Sequence, residues 1–231
     1  ACAVFAKRDP VENSVPTAAT FEIEYVQYLN AEGKLVRDDL PAFARDVRQL
    51  VKLYQEMLMV RIFDAKAIAL QRTGKLGTYA ACLGHEATHV GIGASMQPED
   101  VFAPSYREYG AQFERGVKPR DVLMYWGGDE RGNDFEIPRN DYPWCVPIST
   151  QCLMASGAAL AFKLRGENRV AVATCGDGGS SKTDFYAAIN SAGAFSLPLV
   201  LCVINNGWAI SVPRKAQTGA QTLAQKGLAG G

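Results

Sequence analysis

Two stretches in the C-terminal half, RVAVATC at 169–175 and LPLVLCVI at 197–204, are almost continuously apolar, and KTDFYAAINSAGAFS at 182–196 separates them with helical periodicity. Strands that are apolar on both faces are buried on both faces, and a strand–helix–strand order of this kind implies a crossover between parallel neighbours. The chain is therefore read as α/β, a parallel sheet with helices on both faces. Ligands of open α/β sheets sit beyond the carboxyl ends of the strands. The first run ends in Gly176-Asp177-Gly178-Gly179 and the second in Asn205-Asn206-Gly207-Trp208. Parallel pairing puts both ends on one edge of the sheet, so Asp177 and Asn206 are expected to converge there. A carboxylate and an amide carbonyl form a hard oxygen set suited to Mg²⁺, which completes its shell with phosphate oxygens and water. Gly178 and Gly179 leave backbone N–H groups open to a phosphate, and the following helix points its positive end at the same place. Gly-Asp-Gly alone is an ordinary turn; its combination with a crossover helix and Asn-Asn at the next strand end is far more specific.

The remaining chain supplies the covering helices. Residues 1 to about 20 read as an irregular arm, and FEIEYVQYLNAEGKLV alternates around NAEGK as a small hairpin would, giving an N-terminal extension over 1–41. From residue 42 to 231 the chain reads as one α/β domain. Apolar residues recur at helical spacing from Val47 to Ile68, and Gly74 stands where a helix would stop. Shorter helices are expected in GHEATHVGIGASM, YREYGAQFERG, KPRDVLMYW and STQCLMASGAALAFKLRG, with a short strand in DVFAP. The last helix has a Ser or Thr N-cap and a glycine stop. GGDERGNDFEIPRNDYPWCVP, at 127–147, reads as a long loop.

Composition narrows the function classes. Lys plus Arg equals Asp plus Glu at 24 each, which offers no basic surface for nucleic acid. Six scattered cysteines without a C-x-x-C pair read as reduced thiols of a cytoplasmic protein. The charged, proline-bearing N-terminus fits neither signal peptide nor transit sequence, and LPLVLCVI falls far short of the ~20 apolar residues of a membrane helix. The glycine-rich ending AQKGLAGG suggests a domain that continues further.

One motif points elsewhere. GHEATH contains H-E-x-x-H, which on a helix presents His85 and His89 on one face for zinc beside a Glu base. These are the only two histidines, so a third ligand would have to be a carboxylate such as Glu99, Glu108 or Glu114. Gly84, Gly91 and Gly93 weaken the helix by about 0.5–1 kcal/mol each when interior. A small-residue packing helix is favoured over a zinc peptidase.

The segment GDGGSSKTDFYAAINSAGAFSLPLVLCVINN resembles the thiamine diphosphate binding signature, which opens with G-D-G and closes with N-N. With YREYG, ISTQ, NNGWAIS and KAQT…TLAQK around it, the chain from about residue 45 onward resembles the alpha subunits of the first component of 2-oxoacid dehydrogenase complexes, those of bacterial two-chain pyruvate dehydrogenases most closely. The resemblance implies a thiamine diphosphate-binding fold in which Asp177, the Asn206 side chain and the Trp208 carbonyl hold Mg²⁺. It further implies that Gly178 and Gly179 hold diphosphate oxygens and that Tyr106 and Arg107 reach the diphosphate, where a phenol and a guanidinium fork suit phosphate. Ile148 would meet the aminopyrimidine, and His85 and His89 would be packing or supporting residues behind the cofactor.

The resemblance also implies oxidative decarboxylation of a 2-oxoacid, pyruvate above others, with the acyl group passed to a lipoyl group on a second component. A glutamate acting on the aminopyrimidine would come from a separate beta subunit, in an assembly of two alpha and two beta chains. The family's loop histidine would lie beyond residue 231. Branched-chain 2-oxoacid and acetoin dehydrogenases share these motifs, and Tyr79 and the 127–147 loop are candidates for the pocket that would separate them. A non-catalytic scaffold chain is the reading from another class.

Overall fold

The parallel pairing expected of the two apolar runs is present in the computed structural model, which describes residues 16–231. Three strands, β1 (Val101–Ala103), β2 (Ala171–Gly176) and β3 (Leu199–Ile204), form one sheet in the order β1-β2-β3. β2 and β3 run parallel in an unbroken ladder from Ala171 opposite Leu199 to Gly176 opposite Ile204, and β1 flanks β2 from Val101 opposite Ala171 to Ala103 opposite Ala173.

Helices cover both faces. They are α1 (Val47–Arg72), α2 (Glu86–Ser95), α3 (Tyr109–Glu114), α4 (Pro119–Trp126), α5 (Thr150–Arg165) and α6 (Thr183–Ala194). Alternate strand residues point to opposite faces. Val101, Ala103, Ala171, Ala173 and Cys175 meet Ala155, Ala159 and Phe162 of α5 and Phe185 and Ala188 of α6. The intervening Phe102, Val172 and Cys202 meet Ile92 of α2, Met96 and Ala111 of α3. The run ASGAALA lets α5 lie close to the sheet, its Ala155 and Ala159 wholly buried.

A second core lies under α1, where Val60, Phe63 and Ala67 pack with Val90, Tyr109, Val122, Phe135 and Trp144. α1 is a single unbroken helix capped by Asp46, whose carboxylate accepts from the N–H groups of Arg48 and Gln49. It stops at Thr73 and Gly74, the glycine taking the left-handed φ of 73° that ends helices. The 127–147 loop is mostly packing material: Phe135 and Trp144 are buried, and the Trp144 indole donates to Gln112 Oε1 at 2.6 Å. A buried ion pair ties it to the sheet, Arg115 to Asp141 at 2.5 Å, with Asp141 also accepting from the Phe102 N–H at 2.9 Å.

Three expectations change. β3 is half-buried rather than fully buried, with Val200 47% exposed: it is one of the sheet's two edge strands among the described residues, and α2 and α3 lie mainly over β1 and β2. The hairpin around NAEGK shrinks to one antiparallel bridge, Leu29 to Leu35, closed by Asn30 accepting from the N–H groups of Glu32 and Lys34. The first fifteen positions of the arm, including Cys2, lie outside the described residues. α3 starts at Tyr109, so Tyr106 and Arg107 stand on the approach to the helix and not within it. No helix among the described residues is long and apolar enough to cross a membrane.

Candidate active site at the carboxyl edge of the sheet

β2 and β3 both deliver their ends into one cavity of about 690 Å³. Asp177, Gly178 and Gly179 enter from β2, Asn206 and Trp208 from β3, Tyr106 and Arg107 from the segment after β1, and Ile148 from the turn before α5. All eight residues singled out in the sequence thus line the same space.

Asp177 is 2% exposed. Its Oδ2 accepts from Gln217 Nε2 at 3.3 Å, whereas its Oδ1 is buried without any partner. Buried carboxylate oxygens are ordinarily paired, so this one marks a place for a cation or donor. The two glycines beside it are required sterically. A Cβ on Gly178 would lie 2.4 Å from Ala209 Cβ, and one on Gly179 would lie 2.7 Å from Ser149 Oγ and 3.1 Å from Cys175 Cβ. Their backbone therefore runs where no side chain could, packed against Ala209 on one side and Ser149 and Cys175 on the other, while both residues still line the cavity.

Ser149 holds this turn from across the cavity. It is fully buried, adopts φ 66°, and donates its hydroxyl to the Gly179 carbonyl at 2.7 Å. The hydroxyl expected to cap α5 is thus spent on the glycine turn, and the helix begins without a side-chain cap. The left-handed conformation of a non-glycine residue is strained, and such strain gathers at functional sites. Next to it Gln151 donates to the Thr174 carbonyl at 2.6 Å and leaves its own Oε1 buried and unpartnered.

On the β3 side Asn205 and Asn206 each accept from the N–H two residues on, Gly207 at 3.1 Å and Trp208 at 3.0 Å. The Asn206 Oδ1, expected to face a metal, therefore has one lone pair engaged in a local turn and the other free. Trp208 begins a two-stranded hairpin, β4 (Trp208–Ala209) with β5 (Val212–Pro213), and is 56% exposed. A short helix, α7 (Arg214–Gln217), follows and carries Gln217 back to Asp177.

Arg107 donates from its guanidinium to the Ala81 carbonyl and lies over the Tyr106 ring at 5.4 Å. Glu108, also in the lining, is buried, and desolvation raises its carboxyl above the ordinary range. His85 lines the cavity as well, its imidazole held below the usual range by burial and then by the Arg107 charge. It caps α2 from outside, following Gly84 at φ 88°, while His89 is fully buried with neither ring nitrogen paired. Glu86, the base of a zinc reading, forms an ion pair with Arg61 at 2.5 Å. No cluster of three His, Cys, Asp or Glu side chains suited to a metal occurs among the described residues. Tyr79 stays out of the cavity: it stacks on Tyr109 at 5.4 Å and donates to Asp64 at 2.9 Å. Of the 127–147 loop only Pro147 reaches the lining.

The family model of the dehydrogenase E1 component matches residues 54–231. The chain belongs to the dehydrogenase E1 component family. Pyruvate dehydrogenase E1 component subunit alpha from Staphylococcus aureus (strain Mu50) is 38% identical over 226 residues, covering 98% of this chain and 60% of that protein. The protein of the same description from Staphylococcus epidermidis (strain RP62A) matches with the same identity and coverage. The chain thus spans about 60% of the length of these relatives. A solved structure from Mycobacterium smegmatis, described as a thiamin diphosphate-dependent enzyme, overlaps 63% of this chain and 25% of its own at 19% identity and a TM-score of 0.42, a likeness too loose to bear on fold or ligand.

The glycine turn and the convergent strand ends lie where the sequence reading locates them. Sequence reasoning sees Ser149 only as a possible cap of α5 and Glu108 only as a possible zinc ligand, and it gives Gln151 and Gln217 no role. The strings ISTQ and KAQT, quoted for the family resemblance, hold Ser149, Gln151 and Gln217; the contact of Gln217 with Asp177 has no local signal, because it spans forty positions.

Proposed function

We propose that this chain is the alpha subunit of a pyruvate dehydrogenase (acetyl-transferring), binding Mg²⁺ and thiamine diphosphate at the carboxyl edge of its sheet. The observation that carries the reading is the orphaned Asp177 Oδ1 beside two glycines that admit no Cβ, in a cavity shared with Asn206, Tyr106 and Arg107. An unpaired buried carboxylate oxygen, an amide oxygen with a free lone pair and a backbone carbonyl are a hard donor set that fits Mg²⁺. Backbone N–H groups of a glycine turn, with a guanidinium and a phenol in the same cavity, fit a diphosphate.

In this reading Asp177, the Asn206 side chain and the Trp208 carbonyl would hold the metal. Gly178 and Gly179 would bind diphosphate oxygens through their backbone, and Tyr106 and Arg107 would close on the same group. Ile148, 42% exposed at the cavity, would support the aminopyrimidine. When bound, thiamine diphosphate supplies the nucleophilic carbon and the electron sink for decarboxylating a 2-oxoacid. The chain's own part is placement. Gln217 keeps the Asp177 carboxylate from rotating, and Ser149 fixes the carbonyl of the glycine turn.

The chain would work in the cytoplasm, in a heterotetramer of two alpha and two beta chains that delivers acetyl groups to the lipoyl-bearing second component. The beta chain would contribute the catalytic glutamate. The test uses the full-length chain assembled with its partner. Calorimetry with Mg²⁺ and thiamine diphosphate should show Asp177→Ala weakening binding by about 100-fold, the upper end of what loss of a metal's supporting partner costs. Unchanged affinity refutes the site. Turnover of pyruvate compared with a branched 2-oxoacid decides the substrate, and faster use of the branched acid would reassign the chain within its family.

A further inference from the structure

Behind the glycine turn, away from the cavity, lies a lysine with no anion beside it. Lys226 is 6% exposed and sits in a 3-10 segment, Leu223–Gly230. Its ammonium donates to the Ser180 carbonyl at 2.7 Å, the Ser180 hydroxyl at 2.9 Å and the Ser181 hydroxyl at 3.1 Å. All three are neutral oxygens, and a fourth side is closed by the Tyr186 ring, 5.5 Å from the nitrogen. Lys226 takes part in none of the ion pairs among the described residues.

A buried ammonium without a counter-charge is unfavourable, and natural proteins pair such groups or place them where an anion will come. The oxygens that Lys226 holds belong to the two residues directly after Gly178 and Gly179. Ser180 in turn donates its hydroxyl to the Asp177 carbonyl at 2.7 Å. One connected path therefore runs from the lysine through Ser180 to the backbone of the residue whose carboxylate lines the cavity. Lys226 itself is absent from the lining, so it touches no ligand there.

We propose that Lys226 is a positioning residue for the phosphate-binding turn, whose buried positive charge is balanced by the diphosphate bound on the turn's other side. The inference rests on the cofactor reading above and extends it to a residue outside the cavity. A diphosphate with one bound Mg²⁺ keeps a net negative charge, and a cation acting on it through the buried Ser180 is screened less than it would be in water. Lys226 also ties the 222–230 segment to the turn, so that segment's packing and the turn's conformation are set together.

The experiment measures Mg²⁺-dependent binding of thiamine diphosphate and of thiamine monophosphate by calorimetry, on the full-length chain assembled with its partner. Lys226→Met should weaken diphosphate binding by about 10- to 30-fold and monophosphate binding by less, since the effect scales with the charge opposite. Lys226→Arg, which keeps the cation, should bind within about threefold of wild type. If Lys226→Met does not fold, Lys226→Gln keeps a donor for the Ser180 carbonyl, discards the charge, and is held to the same expectation. Binding equal to wild type in the neutral variants overturns the proposal. So does an equal loss for both ligands that arginine fails to restore, which is the mark of a purely structural contact. A wild-type protein that binds no thiamine diphosphate, or an Asp177→Ala protein that binds it normally, defeats instead the cofactor reading on which the proposal stands.

Discussion

His89 turns an overlooked feature of the fold into a measurable pH dependence. Its ring is fully buried against Gly110, on which a Cβ would come within 2.9 Å of His89 Cβ, and neither ring nitrogen has a partner. Burial, then the nearby His85 and Arg107, lower its pKa from 6.5 to about 3. The unfolded chain protonates this imidazole near 6.5 while the folded chain keeps it neutral until about 3, so between those values unfolding takes up a proton. Stability therefore rises with pH across that window, is complete above it, and is lost as the solution is acidified. Each pH unit below 6.5 costs about 1.4 kcal/mol, which amounts to about 2 kcal/mol at pH 5 and about 5 kcal/mol at pH 3. His89→Leu removes the titration and keeps a side chain of similar bulk. Urea denaturation of wild type and variant at pH 8 and pH 5 isolates the effect, because every other titrating group is common to both. The variant should gain about 2 kcal/mol on wild type when the pH is lowered from 8 to 5. A difference that stays constant within about 0.5 kcal/mol would mean that the imidazole finds a proton or a partner in the folded protein, and would refute the reasoning.

Two other perturbations follow from contacts already described. Gly179→Ala drives a methyl into Ser149 Oγ and Cys175 Cβ, and should cost about 1–3 kcal/mol of stability together with weaker diphosphate binding. Normal melting and normal affinity in that variant would show that the turn has more room than its contacts imply. Arg115→Met strands a buried carboxylate and should cost about 3–5 kcal/mol. Desolvation already pushes the Asp141 pKa upward, and without Arg115 it rises further, so protonation relieves the deficit; urea midpoints of the variant should approach wild type as pH falls from 8 to 5. A deficit independent of pH would count against this origin.

Much of the architecture is legible in the residue order, for reasons that differ by element. β2 and β3 announce themselves as continuous apolar runs on either side of a helical period, although only β2 proves covered on both faces, and α1 because its buried residues return at helical spacing. The strand ends carry the cavity-lining residues wherever a parallel sheet forms, so Asp177 and Asn206 could be placed together before any coordinates. What escaped notice was made by long-range packing. The contacts of Gln217 and Lys226 with the glycine turn bridge forty or more positions through segments without periodicity. The left-handed φ of Ser149 arises because its hydroxyl is drawn to Gly179, against the local preference for capping α5. The half-exposure of β3 depends on which helices reach the sheet's margin. H-E-x-x-H misleads because two imidazoles are not yet a site: the rings of His85 and His89 do meet, 5.2 Å apart, but Glu86 is taken by Arg61 and no third ligand joins them among the described residues.

The unbroken ladder between β2 and β3 acts as a ruler. Its final rung pairs Gly176 with Ile204, so Asp177 emerges one step past the last rung on its strand and Asn206 two steps past on the other. A slip by one residue would turn every side chain of β3 to the opposite face and shift its tip by about 3.3 Å, more than the whole length of a bond from oxygen to magnesium. The apolar side chains that fix this register thereby measure out the gap between the Asp177 and Asn206 oxygens, and if those two hold the proposed cation, a drifted register would show first as its loss.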